Sequence, residues 1–385
     1  MIKLFDITSE FIDGPSDNNE NSFDYYHKST RKDIRIIRET IENWFSTYQN
    51  SEKKELKNRF KKDFDSAFYE LFLYEMFNKL GFSITIHPNL KDSTKRPDFL
   101  IEKDDIQSYV EAKVCYDKSQ EEMAFERLQN QFFDNLNKVR IKGFLLRIEE
   151  IEFKTKRQPS AKELISKIET EVNNLDPKII TLDMEKFGFD GCPKINFEND
   201  DLKIILQPMP LIESRRDKIS ENPIGMFPIE TYWGGGKESL RDSISKKVKR
   251  YSKFEIPYLI CVNALGKKTT DKLDVENAIW GSLKYTFSDY KNIEDGKMSR
   301  ESDGIFYNSG KKKLTNVSGV FVSKVFPSNV PNAKYWIYEN PFADNRLDFK
   351  RLNLIYNYID DKERDGVTGE NLDAVFGISK EWLNG

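Results

Sequence analysis

The segment from residue 52 to residue 115 constrains the fold of this chain more than any other part of its sequence. A long helix is predicted over 52–80, amphipathic at first and strongly apolar from Phe64 onward, and Gly81 is typical of a helix end. Three strand candidates follow at short intervals, at 82–87, 98–102 and 107–115, separated by a polar loop and an Asp-Asp turn. A helix followed directly by three short strands predicts an α/β fold.

The next elements extend this pattern. Residues 121–139 carry apolar side chains three and four positions apart, which predicts a helix, and 143–153 predict a strand. The order helix, three strands, helix, strand is compact enough for a central mixed sheet flanked by helices. Further helices are predicted at 31–48, 160–173, 238–251 and 349–359. Further strands are predicted at 202–207 and 258–262, which are candidates to extend the same sheet, and at 317–326 and 335–338 in the remainder of the chain.

The length of 385 residues allows two domains or one large α/β domain with extensions. We expect an N-terminal helical extension over 1–60 and a central domain over 61–265 whose core is 61–153. Residues 266–385 are then a C-terminal α/β extension or a small domain.

Histidine and cysteine are scarce, with two and three residues in the whole chain and no C-x-x-C pair. A zinc finger or ribbon needs four such ligands at short spacing, so both are excluded, as is a histidine-rich metal hydrolase. Acid/base or metal chemistry must come from the 64 Asp and Glu residues, helped by the 61 Lys and Arg residues.

The charges nearly cancel, at a formal net charge of −3, so global attraction to nucleic acid is absent and any such binding needs local basic patches. The cysteines show no pairing pattern, and two of them lie in apolar runs, which favours a reducing cytoplasm. No signal-peptide pattern and no run of about 18 apolar residues is present, so we expect no membrane association.

One constellation carries chemistry in the predicted sheet. Pro97-Asp98 opens one strand, and Glu111-Ala112-Lys113 lies in the next, with twelve residues between Asp98 and Glu111. Side chains alternate along a strand, so Glu111 and Lys113 project to one side. If the two strands are hairpin neighbours, about 4.8 Å apart, the carboxylates of Asp98 and Glu111 can converge on one hard cation such as Mg²⁺.

A third acid is expected on the preceding helix. Glu70 shares a helical face with Leu73, Phe77 and Leu80, so it is expected to point toward the sheet, and Glu75 is the competing candidate. A carboxylate on an apolar face is costly unless it is paired, and a metal-bound water or the Lys113 ammonium would satisfy it.

These residues resemble the PD-(D/E)xK nuclease superfamily, whose restriction-endonuclease-like fold has an α-β-β-β-α-β core. The resemblance covers 61–153. It implies phosphodiester hydrolysis, with Mg²⁺ held by Asp98, Glu111, the Ala112 backbone carbonyl and Glu70, and with Mn²⁺ as a substitute. It further implies that Lys113 assists the attacking water and that Glu70, Asp98, Glu111 and Lys113 form the catalytic set.

The resemblance also favours DNA as the substrate and, by analogy with restriction enzymes, a DNA endonuclease in host or phage defence. An RNase with the same site and a catalytically inactive nucleic-acid-binding or scaffold subunit remain alternatives. A homodimer, a higher oligomer or a partner protein for targeting is expected, because symmetric oligomers suit cleavage of both strands.

Other residues are weaker candidates. Gln129 and Gln131, on the helix after the E-x-K strand, could contact substrate, although exposed helix glutamines are the commoner case. His87 could approach the site, but it has no partner histidine and more simply ends a strand. A basic series at helical spacing could face a phosphate backbone or be a solvated surface; it comprises Lys246, Lys249, Arg250 and Lys253.

Overall fold

The computed structural model describes residues 2–91, 93–220, 222–228, 235–251, 253–267, 271–287, 296–308, 311–357, 366–367 and 369–384. The helices are α1 (Ser22–Lys28), α2 (Lys32–Thr47), α3 (Lys53–Lys62), α4 (Phe64–Lys79), α5 (Gln120–Leu136), α6 (Lys162–Val172), α7 (Pro177–Phe187), α8 (Gly236–Val248), α9 (Lys272–Trp280) and α10 (Leu372–Phe376). The strands are β1 (Ser83–Ile86), β2 (Phe99–Lys103), β3 (Ile106–Cys115), β4 (Phe144–Phe153), β5 (Ile195–Glu198), β6 (Leu202–Pro210), β7 (Ile224–Met226), β8 (Tyr258–Ala264), β9 (Leu283–Thr286), β10 (Lys297–Arg300), β11 (Tyr307–Asn308), β12 (Lys311–Lys312), β13 (Gly319–Lys324), β14 (Lys334–Glu339), β15 (Tyr356–Asn357) and β16 (Gly366–Val367).

The chain divides into two compact units. The first comprises Met1–Gly14, Asn21–Asp117 and Tyr232–Gly385, and the second comprises Pro15–Glu20 and Lys118–Thr231. In chain order, the second unit is therefore inserted between β3 and α8 of the first. The boundaries that we expected at 60 and 265 do not coincide with this division, because the segments on both sides of each belong to the first unit.

The first unit is built on a large mixed sheet in the strand order β1-β2-β3-β8-β13-β14-β15-β16. The first two pairings are antiparallel hairpins, whereas β3 pairs with β8 and β8 with β13 in parallel. Apolar side chains of α2, α3 and α4 pack on one face of this sheet, and those of α8 and α9 pack on the other. The predicted α/β class, with a mixed sheet flanked by helices, is confirmed.

Alternation along the central strands produces the two cores. On β8, Leu259 and Cys261 belong to the core on the α4 side, whereas Tyr258, Ile260 and Val262 belong to the core on the α8 side. A strand buried on both faces has a nearly continuous apolar sequence, and every residue of β8 is buried.

The long helix predicted over 52–80 is wrong in one respect, because the structure has two helices there, α3 and α4. Asp63 separates them with an extended backbone (φ −146°, ψ 80°), and its carboxylate accepts a hydrogen bond from the Ser66 N–H as the N-cap of α4. The predicted end is confirmed. Leu80 is the last α-helical residue in φ and ψ, and Gly81 follows with a left-handed backbone (φ +84°), which glycine adopts at little cost.

The three predicted strands after α4 are confirmed as β1, β2 and β3. Asp104 and Asp105 form the turn between β2 and β3, and Lys103 pairs with Ile106 across it. This tight hairpin fixes the register by which the first residues of β2 face the middle of β3.

The expectation that strand 143–153 completes the sheet is wrong, and so is the core assigned to 61–153. That strand is β4, which belongs to a separate four-stranded sheet in the order β5-β6-β4-β7, together with the predicted strand at 202–207. The neighbour of β3 is instead β8, reached through α8 after the second unit. Apolar alternation predicts a strand but does not specify the sheet that the strand joins.

The helix predicted over 349–359 is also wrong over its described part. A short 3₁₀ helix occupies Phe349–Leu352, and Asn353 ends it with a left-handed backbone (φ +55°). Tyr356–Asn357 then forms β15, and residues 358–359 lie outside the described residues.

The second unit has its own core. Apolar residues of α5, β4, α6 and β6 form one buried cluster, which includes Phe132, Ile148, Leu164 and Leu206. Over the described ranges of the whole chain, we find no helix with both the length and the apolar character needed to cross a bilayer.

Candidate active site

An open pocket of about 350 Å³ in the first unit is lined by residues of α3, α4, β3 and α8 and by the residues next to them. Most of its wall is charged or polar; the lining residues are Glu55, Arg59, Asp63, Ser66, Tyr69, Glu70, Asp98, Ala112, Lys113, Val114, Lys247 and Arg250. Five predicted site residues therefore meet here, namely Glu70, Asp98, Ala112, Lys113 and Arg250.

Asp98 is held at the entrance to β2, one residue before the Phe99–Val110 pair. Its backbone carbonyl accepts a hydrogen bond from the His87 N–H (3.0 Å), and its carboxylate Oδ2 accepts one from the Ala112 N–H (2.6 Å). Among the described residues, none donates a hydrogen bond to the other oxygen, Oδ1. The backbone thus fixes the carboxylate while leaving one oxygen able to bind a ligand.

Glu70 reaches the pocket from the middle of α4, and its side chain is almost fully buried. The Tyr48 hydroxyl donates a hydrogen bond to Oε1 (2.7 Å), and the Arg59 guanidinium pairs with Oε2 (2.5 Å). Glu75 instead accepts a hydrogen bond from the Thr47 hydroxyl (3.1 Å) and does not line the pocket. Of the two predicted helical acids, Glu70 is the one beside Asp98.

His87 lies beside these two acids. From the sequence, this position was the less favoured of two alternatives, the other being a simple strand end. Glu70, His87 and Asp98 each offer a ligand atom, and these three atoms lie within 4.8 Å of one another. The ring nitrogen Nδ1 of His87 also lies 3.7 Å from Glu52 Oε2. Two carboxylates and an imidazole form a donor set that suits Mn²⁺, and the two carboxylates also suit Mg²⁺.

Glu111 is placed differently from Asp98, because its side chain is fully buried on the α8 side of the sheet and does not line the pocket. Oε1 pairs with Lys247 Nζ (2.5 Å) and accepts a hydrogen bond from Arg250 Nη1 (2.9 Å). Oε2 accepts one from the Tyr251 hydroxyl (2.8 Å). Both oxygens of Glu111 are therefore engaged by protein groups.

Lys113 is exposed and lines the pocket, and no described acid forms an ion pair with it. Ala112, between Glu111 and Lys113, packs against the core on the α4 side, and its N–H is occupied by Asp98. A metal contact from the Ala112 carbonyl stays a prediction.

Burial dominates the electrostatics of the two strand acids. It raises the pKa of Asp98, and Glu70 raises it further, whereas the Lys247 charge opposes the shift. Burial likewise raises the pKa of Glu111, with Asp98 adding to the shift and Lys247 opposing it. A cation bound beside Asp98 would favour its ionised form.

The remaining candidates are dispersed. Lys246 and Lys249 are exposed on or just after α8, and Lys253 pairs with Asp344 (3.1 Å). Gln129 is half-buried on α5 of the second unit, and Gln131 is exposed there. Of the basic series, only Arg250 lines the pocket.

Sequence reasoning missed the groups that hold the acids, namely Tyr48, Arg59, Lys247 and Tyr251. The position of Lys247 could have been found from the apolar periodicity of α8, because Lys247 lies beside Ile244 and Val248 on the face that packs on the sheet. The other three have none at short range, since each contacts an acid from another element.

A comparison of the chain with protein-family models, with curated proteins and with solved structures finds no match.

Proposed function

We propose that this protein is a metal-dependent nuclease that hydrolyses phosphodiester bonds, with DNA as the favoured substrate. The observation that carries the proposal is that Glu70, Asp98 and Lys113 line one open pocket. The order α4, β1, β2, β3, α8 and β8 resembles a restriction-endonuclease-like core, with the second unit inserted after its third strand. This resemblance supports the reaction class and not a cleavage specificity.

The donor groups in the pocket fit a divalent ion. Glu70, His87 and Asp98 are the groups that would hold it, and oxygen ligands are those that Mg²⁺ and Mn²⁺ prefer. Each Glu70 oxygen is engaged by one protein group, Tyr48 or Arg59, and so keeps a second lone pair that a cation can use. A bound divalent ion supplies Lewis-acid polarisation of a phosphate and a lower pKa for a coordinated water.

The chain's own groups have separable roles in this proposal. Lys113, exposed in the pocket, donates to a phosphate oxygen or to the attacking water. The Ala112 N–H holds the carboxylate of Asp98 in place, and the Tyr48 hydroxyl and Arg59 hold that of Glu70. Preorganised groups of this kind avoid reorganisation during the reaction.

Incubation with a panel of nucleic acids tests the proposal. Supercoiled, linear and single-stranded DNA and RNA are incubated with Mg²⁺ or Mn²⁺ and the wild-type protein, Asp98→Asn or Lys113→Ala. We expect wild type to cut DNA, and each variant to lose about 10²-fold or more in rate. Lys272→Ala is the charge control, because Lys272 is exposed and outside the pocket. The proposal is wrong if no substrate is cut, or if Lys113→Ala cuts as fast as wild type.

A non-catalytic nucleic-acid-binding subunit is the second candidate, and it is favoured by the position of Glu111, which is buried and does not line the pocket. Calorimetry of Mn²⁺ and Mg²⁺ binding to wild type and Asp98→Ala separates the two. A heat of metal binding that is measured for wild type and is absent for the variant supports the nuclease. Equal and negligible heats for both proteins support the binding subunit. Cleavage of RNA alone in the panel would identify an RNase with the same site.

A further inference from the structure

The buried carboxylate of Glu111 suggests a role other than metal binding. It is fully buried beneath Lys247, Arg250 and Tyr251, which together donate to both of its oxygens. An ion could reach it only after these groups had moved. Breaking a buried pair of this kind is costly, because it leaves an uncompensated charge.

The two cations that Glu111 holds face the pocket, although Glu111 itself does not. Lys247 and Arg250 both line the pocket, and their side chains are 17% and 41% exposed. A lysine has three donors and an arginine has five, so each keeps free N–H groups after pairing with Glu111. Lys113 adds a third positive charge to the lining of the same pocket.

We infer that Lys247 and Arg250 bind the phosphodiester group of the substrate and that Glu111 is a positioning residue that orients them. The inference rests on the proposed function for the identity of the substrate, a nucleic acid. It divides the site into two parts: a cation side, formed by Glu70 and Asp98 of the pocket with the neighbouring His87, and an anion side, formed by Lys113, Lys247 and Arg250.

This division contrasts with the expectation that Glu111 is a metal ligand alongside Asp98. A shared metal would need a Glu111 oxygen in the pocket, whereas the three atoms within 4.8 Å belong to Glu70, His87 and Asp98. The positive charges of Lys113, Lys247 and Arg250 are complementary to a phosphate. Lys247 and Arg250 are each anchored by Glu111 and can still donate hydrogen bonds to a phosphate with their remaining N–H groups.

The salt dependence of DNA binding tests the anion side. Binding of a fluorescein-labelled 20-base-pair duplex is measured by anisotropy in EDTA over a range of salt concentrations, with wild type, Lys247→Ala, Lys247→Arg, Arg250→Ala and Lys272→Ala. The logarithm of the association constant falls linearly with the logarithm of the salt concentration. Each lost phosphate contact makes this negative slope shallower by about 0.9. We expect that change, with about tenfold weaker binding, for Lys247→Ala and Arg250→Ala. Lys247→Arg keeps the charge and should keep the slope, as should Lys272→Ala.

Mn²⁺ affinity tests the role of Glu111. We expect Asp98→Asn to weaken Mn²⁺ binding about tenfold or more, and Glu111→Gln to leave it unchanged while slowing cleavage. An equal loss of Mn²⁺ affinity in both variants would make Glu111 a ligand and overturn the inference.

Two further outcomes overturn it, namely wild-type protein that does not bind the duplex and salt slopes that are unchanged in both Lys247→Ala and Arg250→Ala. Arg250 is the more exposed of the two, so Arg250→Ala provides the test if Lys247→Ala does not fold. Binding with the expected slopes but without cleavage of any substrate would refute the proposed nuclease and leave the phosphate site standing.

Discussion

Asp98 places a carboxyl group where water cannot fully solvate its charge. Burial raises its pKa above the unfolded value of about 4, so between the two values the folded state binds more protons than the unfolded state. The contribution of the Asp98 carboxyl to the free energy of unfolding is therefore greatest below about pH 4, and it is lost as the pH rises through the pKa of the folded state.

We therefore predict that Asp98→Asn, measured in EDTA, gains stability relative to wild type as the pH rises. The difference in Tm between the variant and wild type should be larger near about pH 8 than near about pH 4, because only the wild-type side chain ionises. Thermal unfolding followed by circular dichroism at both values checks this. A difference that does not change with pH would show that the charge of Asp98 is not destabilising.

Glu70 and Glu75 form a matched pair, since both are buried acids on α4 and only Glu70 lines the pocket. We predict that Mn²⁺ raises the Tm of wild type and of Glu75→Gln but not that of Glu70→Gln. A ligand at 100 times its Kd adds about 2.7 kcal/mol of stability, which is measurable as a shift of several degrees. A Mn²⁺ shift that survives in Glu70→Gln and is lost in Glu75→Gln would transfer the ligand role to Glu75.

At the scale of elements, Asp63 determines where α4 begins and therefore how Glu70 is presented. Its side chain caps the first turn through Ser66, and its non-helical backbone separates α4 from α3, whose Arg59 pairs with Glu70. In a single continuous helix over both segments, Arg59 and Glu70 would lie about 16 Å apart along the axis and their side chains would not meet.

We predict that Asp63→Ala lowers the free energy of unfolding by about 1 kcal/mol, the usual cost of a lost N-cap. Asp63→Ser retains a capping oxygen and should cost less than half of that. Urea unfolding of the two variants and wild type gives the comparison. Equal destabilisation by alanine and serine would mean that Asp63 contributes through its charge and not through the cap.

At the scale of the whole molecule, the predictions that hold are those that depend on neighbours in sequence. Periodicity located α2 and β3 within a few residues, and the E-x-K spacing led to Lys113 in the pocket. The partner of β3 was not predicted in this way, because β4 is the next strand along the chain. The sequences of the two candidates differ: β4 carries charged residues among its apolar ones, whereas β8 is nearly continuously apolar, as is typical of a strand buried on both faces.

The same limit applies to the site. Lys247 contacts Glu111 across 136 positions of sequence, with the Lys118–Thr231 segment of the second unit between them. A helix-face argument places Lys247 near the sheet but does not identify the strand that it meets. The insertion itself was missed, because apolar spacing predicts the strands β4 and β6 but does not show that they form a separate sheet.

The second unit provides the last prediction. Its core is closed within residues 118–231, where side chains of α5, β4, α6 and β6 bury one another around Ile148 and Leu206. A segment of this size with its own sheet and core has the properties of an independently folding domain.

We predict that residues 118–231, produced alone, unfold in one cooperative transition in urea. Leu206→Ala in that fragment should lower the free energy of unfolding by about 2–5 kcal/mol, because Leu206 is fully buried. Ile179→Ala, at an exposed position on α7, is the control and should cost little. A fragment without a cooperative transition, or equal effects of the two substitutions, would mean that this core depends on the rest of the chain.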